Sequence, residues 1–223
     1  MPDEHHIQVP RTARYFTIGE PGPATRDVWF VCHGYGEVVA EFVGEFEIIA
    51  DPARVIVAPE ALSRYYLPTE SGFHSADARV GASWMTREDR ELEIADYVRY
   101  LDALYDEIMG KVNRENVFVT VLGFSQGGAT ANRWVTRGRS RADRLVMWGA
   151  LIASDADLNQ AATFFRNVAL TIVHGKRDKF LSEGMISDYE ELLREKQIPY
   201  DLLTFDGGHR MDRETLKLLA RNS

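Results

Sequence analysis

The sequence predicts an α/β fold, a mostly parallel sheet with helices on both faces. Two observations carry that expectation. Short apolar runs alternate along the chain with longer segments whose apolar residues recur at helical spacing, the order that puts a crossover helix between parallel strands. Runs such as Val28-Trp29-Phe30-Val31-Cys32 are apolar at every position, as strands covered on both faces are.

Taken in order, Ile7 to Ile18 alternates loosely and predicts one or two edge strands, stopped by the turn "GEPGPAT". Val28 to Cys32 predicts a buried strand ended by "HGYGE", and a helix follows over Val38 to Ala50. Arg54 to Ala58 predicts another short strand, ended by Pro59. From Glu60 to Thr86 no periodicity is sustained, which predicts a long surface loop.

Ile94, Val98, Leu101, Leu104 and Ile108 share one face of a helix predicted over Glu88 to Met109, with its acids and arginines on the solvated side. Val117 to Leu122 predicts the central strand and Ala129 to Val135 a helix. Strand Arg144 to Met147, helix Leu158 to Phe165 and strand Ala169 to Val173 come next. The chain closes with helix Glu183 to Lys196, strand Tyr200 to Phe205 and a helix near Arg213 to Leu219. No internal repeat, low-complexity tract or linker interrupts this order, and 223 residues suffice for a sizeable core, so residues 1–223 are read as one domain.

Charge and cysteine content narrow the function classes. A net charge of −8 disfavours nucleic acid or an anionic membrane as the main partner, because both attract basic surfaces. Cys32 is the single cysteine, so an intramolecular disulfide and a cysteine-built metal site are excluded. The N-terminus carries acids and prolines and no long apolar run, so neither a signal peptide nor a membrane span is expected, and the cytoplasm is the default location. No P-loop, no G-x-G-x-x-G after a strand and no H-E-x-x-H pattern supports nucleotide or zinc chemistry.

In a parallel sheet the strand-ending loops gather at one carboxyl edge, where reactive groups collect. Four loops qualify: "HGYGE", "GFSQGG", "HGKRD" and "FDGGHR". In "GFSQGG" a serine stands between glycines, between a strand and a helix. A sharp turn that lifts Ser125 above the sheet requires minimal side chains two positions to either side, and Gly123 and Gly127 supply them.

A serine hydroxyl is a weak nucleophile at neutral pH, so a base must take its proton and a third group must orient that base. His209, in the tight "DGGH" loop after the last strand, is the expected base. His5 and His6 lie in the terminus and His74 in the long loop. His33 and His174 end strands before glycine, positions that hold loops by hydrogen bonds. Asp178 in "HGKRD" is the expected orienting acid, with Asp206 as its rival. For the oxyanion, the backbone N–H groups of Tyr35 and Gln126 are placed to donate.

Cys32 and His33 are neighbours on a strand and point to opposite faces, so they cannot share a proton; Cys32 is read as core. Arg133, Arg137, Arg139, Arg141 and Arg144 are read as a solvated helix end.

With these motifs in order, the sequence resembles the α/β-hydrolases and, among them, the phospholipase/carboxylesterase family of acyl-protein thioesterases and small bacterial carboxylesterases. The likeness rests on "HGYGE", "GFSQGG", "HGKRD", the late "GGH", and "ASWM" over Ala82 to Met85. It implies a serine hydrolase of small-molecule esters or thioesters that uses Ser125, His209 and Asp178 and needs no cofactor or metal. Tyr65, Tyr66, Phe73 and Trp84 are candidate walls of an apolar pocket. Residues 62–80 and the "KRD" tripeptide depart from the family pattern, which bears on substrate choice. Pairing of apolar helix faces leaves a homodimer open. Competing readings are a hydrolase-fold binding protein without activity and a dienelactone-hydrolase-like enzyme, which usually carries cysteine where this chain has Ser125.

Overall fold

The computed structural model describes residues 2–68, 78–153, 155 and 158–221, with side chains 159–161 left aside. A seven-stranded sheet forms its centre, in the order β1 (Tyr15–Ile18), β3 (Arg54–Pro59), β2 (Asp27–Cys32), β6 (Phe118–Phe124), β7 (Arg144–Trp148), β8 (Ala169–Gly175) and β9 (Asp201–Phe205). All neighbours pair in parallel except β1, which closes one edge antiparallel to β3. This is an α/β-hydrolase-type architecture, with a mixed, mostly parallel sheet flanked by helices.

Side-chain alternation on the strands sorts the core into two layers. Val28, Phe30 and Cys32 of β2, with Val121, Leu145 and Ile172, face one side. There they meet α2 (Arg90–Met109), α3 (Gln126–Arg137) and α5 (Glu183–Glu195). Trp29, Val31, Leu122, Val146 and Trp148 face the other side, against α1 (Val39–Gly44), the 3-10 turn Glu45–Ile49 and α6 (Arg213–Arg221). Because both faces are covered, β2 reads as a continuous apolar run, the sequence feature that predicts it. Trp134 of α3 meets Phe30 edge-on at 5.3 Å, and each of these fully buried rings stabilises the fold by about 2–3 kcal/mol. The remaining helix, α4 (Leu158–Phe164), lies between β7 and β8 in the chain.

The structure refines or corrects several expectations. The stretch from Glu60 to Thr86 is not all loop: β4 (Ser63–Tyr66) and β5 (Val80–Ser83) pair antiparallel as a separate two-stranded sheet. Their four-residue length is too short to show a period in the sequence. The N-terminal strand is confined to Tyr15–Ile18, and the helix after β2 tightens into a 3-10 turn from Glu45 onward.

The arginine cluster is not simply solvated. Arg133 is buried and pairs with Asp155, and Arg144 is buried under the sheet, donating to Leu219 O and Thr120 Oγ1. Charge alone hides this, because a buried cation is betrayed only by partners distant in sequence.

Candidate active site

The turn after β6 holds Ser125 at φ 53°, ψ −119°, a left-handed conformation that costs a non-glycine residue about 1–3 kcal/mol. Its neighbours hold it there. Ser125 N–H donates to Trp148 O on β7 (2.9 Å), and Gly128 N–H closes the turn on Ser125 O (2.9 Å). A Cβ on Gly123 would intrude on the Gly127 carbonyl, and one on Gly127 on the Cys32 carbonyl, so only glycine lets the turn pass so close to β2.

His209 and Asp178 come from loops fastened to each other and to β7. Lys176 N–H donates to Phe205 O and Arg177 N–H to Gly207 O, which ties the loop after β8 to the loop after β9. Trp148 Nε1–H donates to Arg210 O (3.0 Å), drawing the His209 loop toward the strand beside the serine turn. The result is a 2.7 Å contact between His209 Nδ1 and Asp178 Oδ2.

The other carboxylate oxygen of Asp178 accepts from Phe180 N–H (2.8 Å) and Leu181 N–H (3.2 Å). Burial works against the charge, but the contact with His209 and the two backbone donors outweigh it and hold the carboxyl below its ordinary value. An ionised Asp178 places the ring proton on Nδ1, leaving Nε2 with its lone pair outward.

The imidazole packs against two aromatic rings. Phe124, the residue before Ser125, lies 4.9 Å from it and Phe180 lies 4.8 Å away edge-on. Gly149, beside β7, leaves room for the ring; a Cβ there would stand 3.0 Å from His209 Cε1. The side-chain hydrogen bond of His209 among the described residues is that with Asp178, and none joins it to Ser125 Oγ.

In the "HGYGE" loop, Gly34 N–H is taken by Glu37 Oε2 (2.6 Å) and Gly36 N–H by Ala82 O (2.9 Å). Tyr35 N–H has no such partner among the described residues, and Gln126 N–H lies in the first turn of α3, where helix N–H groups have no intrahelical acceptor.

The other candidates take varied places. Trp84 is buried, its indole N–H donating to His33 O (2.8 Å), and it lines the cavity between the N-terminal segment and α2. Tyr65 is half-buried with its ring 5.6 Å from Tyr35, and Tyr66 is half exposed. Phe73 and His74 lie outside the described residues. His33 anchors its loop as expected: Nδ1 meets Gly34 O (2.7 Å) and Nε2 accepts from Ala61 N–H (3.1 Å).

His174 does not behave that way, since both ring nitrogens are buried without a hydrogen-bond partner among the described residues. Asp206 pairs with Arg177 and leaves the His209 contact to Asp178. Cys32 is fully buried in the core, which pushes its thiol pKa up. A cavity of about 1030 Å³ lies between the N-terminal segment and α2, but none of Ser125, Asp178 and His209 lines it.

Two residues of the site carry roles the sequence did not announce. The Gln126 side chain clamps the segment after β5, accepting from Trp84 N–H (3.0 Å) and donating to Met85 O (2.9 Å). Glu37 turns its carboxylate into the loop. The signal for Glu37 was its place in "HGYGE"; for Gln126 there was none beyond adjacency to Ser125.

A model of the phospholipase/carboxylesterase family matches residues 13–221. The chain belongs to that family. Members are serine hydrolases of the esterase type, and the activity at that level follows from membership. Among solved structures, the fold of this family member is similar to acyl-protein thioesterase 2 of Zea mays, at 16% identity over 94% of this chain and 97% of that one, with a TM-score of 0.68. It is also similar to esterase PE8 (17% identity, 95% and 98% covered, TM-score 0.65). A phospholipase/carboxylesterase of Dyadobacter fermentans matches at 15% identity, 96% and 97% covered, with a TM-score of 0.65. No curated protein matches by sequence. No helix among the described residues is long and apolar enough to cross a membrane.

Proposed function

We propose that this family member hydrolyses carboxylic esters, thioesters among them, through an acyl-enzyme formed on Ser125. The observation that carries this reading is the 2.7 Å contact between Asp178 and His209, with the ring tilted against Phe124, the residue that precedes the strained serine. His209 Nε2 takes the Ser125 proton as Oγ attacks the carbonyl carbon, and Asp178 holds the imidazolium. The N–H groups of Tyr35 and Gln126 bind the oxyanion, a contribution on the order of 3 kcal/mol from each donor. The imidazolium returns its proton to the leaving alcohol or thiol. Water then adds to the acyl carbon, again with His209 as base, and releases the acid and free Ser125.

Supporting both ester and thioester substrates are the names of the similar structures, one a thioesterase and one an esterase. Tyr65, Tyr66, Phe73 and Trp84 remain proposed contributors to the pocket. The test is turnover of chromogenic esters and thioesters of rising chain length, with Ser125→Ala alongside. Wild-type turnover on at least one chain length, reduced about 10⁴-fold or more in Ser125→Ala, is expected. A fluorophosphonate adduct mapped to a residue other than Ser125 overturns the assignment.

A further inference from the structure

Glu37, the last residue of "HGYGE", has no part in the reaction just described, yet its carboxylate is turned toward the site. Oε2 accepts the Gly34 N–H at 2.6 Å. A Cβ on Gly34 would stand 3.1 Å from Glu37 Oε2 and 3.1 Å from the Phe124 ring, and that ring lies 4.9 Å from His209. The half-buried carboxylate and the Phe124 ring thus both border Gly34, Phe124 in turn packs on the imidazole, and the charges of Glu37 and His209 act on each other.

Backbone contacts keep it there. Glu37 N–H donates to Gly34 O (3.4 Å) and its own carbonyl accepts from Ala82 N–H (3.3 Å), which binds the loop to β5.

We propose that Glu37 is a positioning residue with two effects: it holds the loop so that Tyr35 N–H stays directed at the oxyanion, and its charge favours the imidazolium that His209 becomes in the transition state. The inference rests on the triad reading above. Satisfying the Gly34 donor internally leaves Tyr35 as the loop donor open to substrate. A carboxylate near the base acts in the same sense as Asp178, but through space and without touching the ring.

Among the described residues, those whose charge acts on Glu37 are His209 from the loop after β9 and Glu45 from the 3-10 turn, while Glu41 of α1 is paired with Arg79. Burial raises the Glu37 carboxyl above its ordinary value, the Gly34 donor and the charge on His209 oppose that rise, and Glu45 adds to it. The group thus ionises nearer than a surface glutamate to the range in which an imidazole titrates.

The experiment is the pH profile of kcat/KM for wild type, Glu37→Gln, Glu37→Ala and Glu47→Gln. Glu47 is exposed, so its variant changes net charge by the same amount away from the site. With the negative charge gone, the base gives up its proton more readily, so the acid limb of the Glu37→Gln profile is expected to move to lower pH by about half a unit to one unit. Its kcat is expected to fall about threefold to tenfold, with KM within about twofold.

Glu37→Ala also loses the acceptor for Gly34 and is expected to fall further. Glu47→Gln is expected to keep the wild-type profile. An acid limb for Glu37→Gln that coincides with wild type and Glu47→Gln overturns the proposal.

Should Glu37→Gln not fold, the His209 ring resonances of wild type are followed by NMR over pH. A second inflection at the ionisation of Glu37 is expected, and a single smooth transition overturns the proposal. Failure here is separable from failure of the triad: Ser125→Ala inactive with an unmoved Glu37→Gln limb sinks this inference alone, whereas an active Ser125→Ala sinks both.

Discussion

At the scale of single residues, the site depends on one buried carboxylate held below its ordinary pKa. Asp178 is so held because three donors converge on it: the His209 ring and the N–H groups of Phe180 and Leu181. Asp178→Asn keeps the shape but offers the ring an ambiguous partner, so Nδ1 is no longer required to carry the proton. On the proposed mechanism kcat is expected to fall about 10³- to 10⁴-fold with KM little changed, measured on the best ester found. Stability follows the lowered carboxyl. Because the folded value lies below the ordinary 3.8, the stabilisation is complete above that value and is lost as pH falls through the folded value. Thermal melts of wild type and Asp178→Asn are therefore expected to differ most near neutral pH and to converge in acid.

At the scale of elements, the join between β6 and α3 leaves no room for a side chain. Gly127 passes against the carbonyls of Cys32 and His33 on the neighbouring strand, where any side chain collides with backbone. Gly127→Ala is expected to destabilise by about 3 kcal/mol or more. For a chain of this length that lowers Tm by roughly 6–12 °C in calorimetry.

Gln126 acts differently, because its side chain spans from α3 to the segment after β5. Gln126→Ala strands Trp84 N–H and Met85 O, and a loss of about 1–3 kcal/mol in a urea titration is expected. Its backbone N–H survives the change, so the loss in turnover should be smaller than for Ser125→Ala. A second tie, Arg133 with Asp155, joins α3 to the loop after β7, and Arg133 is buried enough to keep that pair largely out of water.

Across the whole molecule, the amino ends of the central strands are joined by a polar knot beneath the sheet. Asp27 of β2 pairs with Arg54 of β3 and accepts from Trp29 Nε1–H (2.9 Å). Arg54 reaches Ala220 O at the end of α6, while Arg144 of β7 reaches Leu219 O and stacks over Trp29 at 5.2 Å. One carboxylate thus offsets two buried guanidinium groups that fasten the last helix to strands β3 and β7. Asp27→Asn leaves both cations without their counter-charge and is expected to cost about 3–5 kcal/mol, seen as a Tm lower by roughly 6–20 °C. The site lies at the opposite, carboxyl ends of the strands, so the specific activity of the folded fraction is expected to hold.

What the sequence by itself determined is the order and kind of elements and the four loops at the sheet edge. Apolar runs such as Val28 to Cys32 mark covered strands, and a serine between Gly123 and Gly127 marks a turn that only small residues permit, because both signals are local. The weaker elements escaped: β4 and β5 are too short for a period, and the helix after β2 changes to a 3-10 turn without a composition signal.

The partnerships were decided only by the tertiary structure. Asp178 and Asp206 were both open as partners of His209 until the stapling of the loops after β8 and β9 put Asp178 against Nδ1 and Asp206 against Arg177. Arg133 and Arg144 looked solvated until their partners, 22 and 75 residues away, were brought to them. Glu37 was marked in the string of residues only by its place at the end of "HGYGE". A hydrogen bond or an ion pair depends on distance in space, and distance between far-separated residues is set by how the sheet stacks its strands.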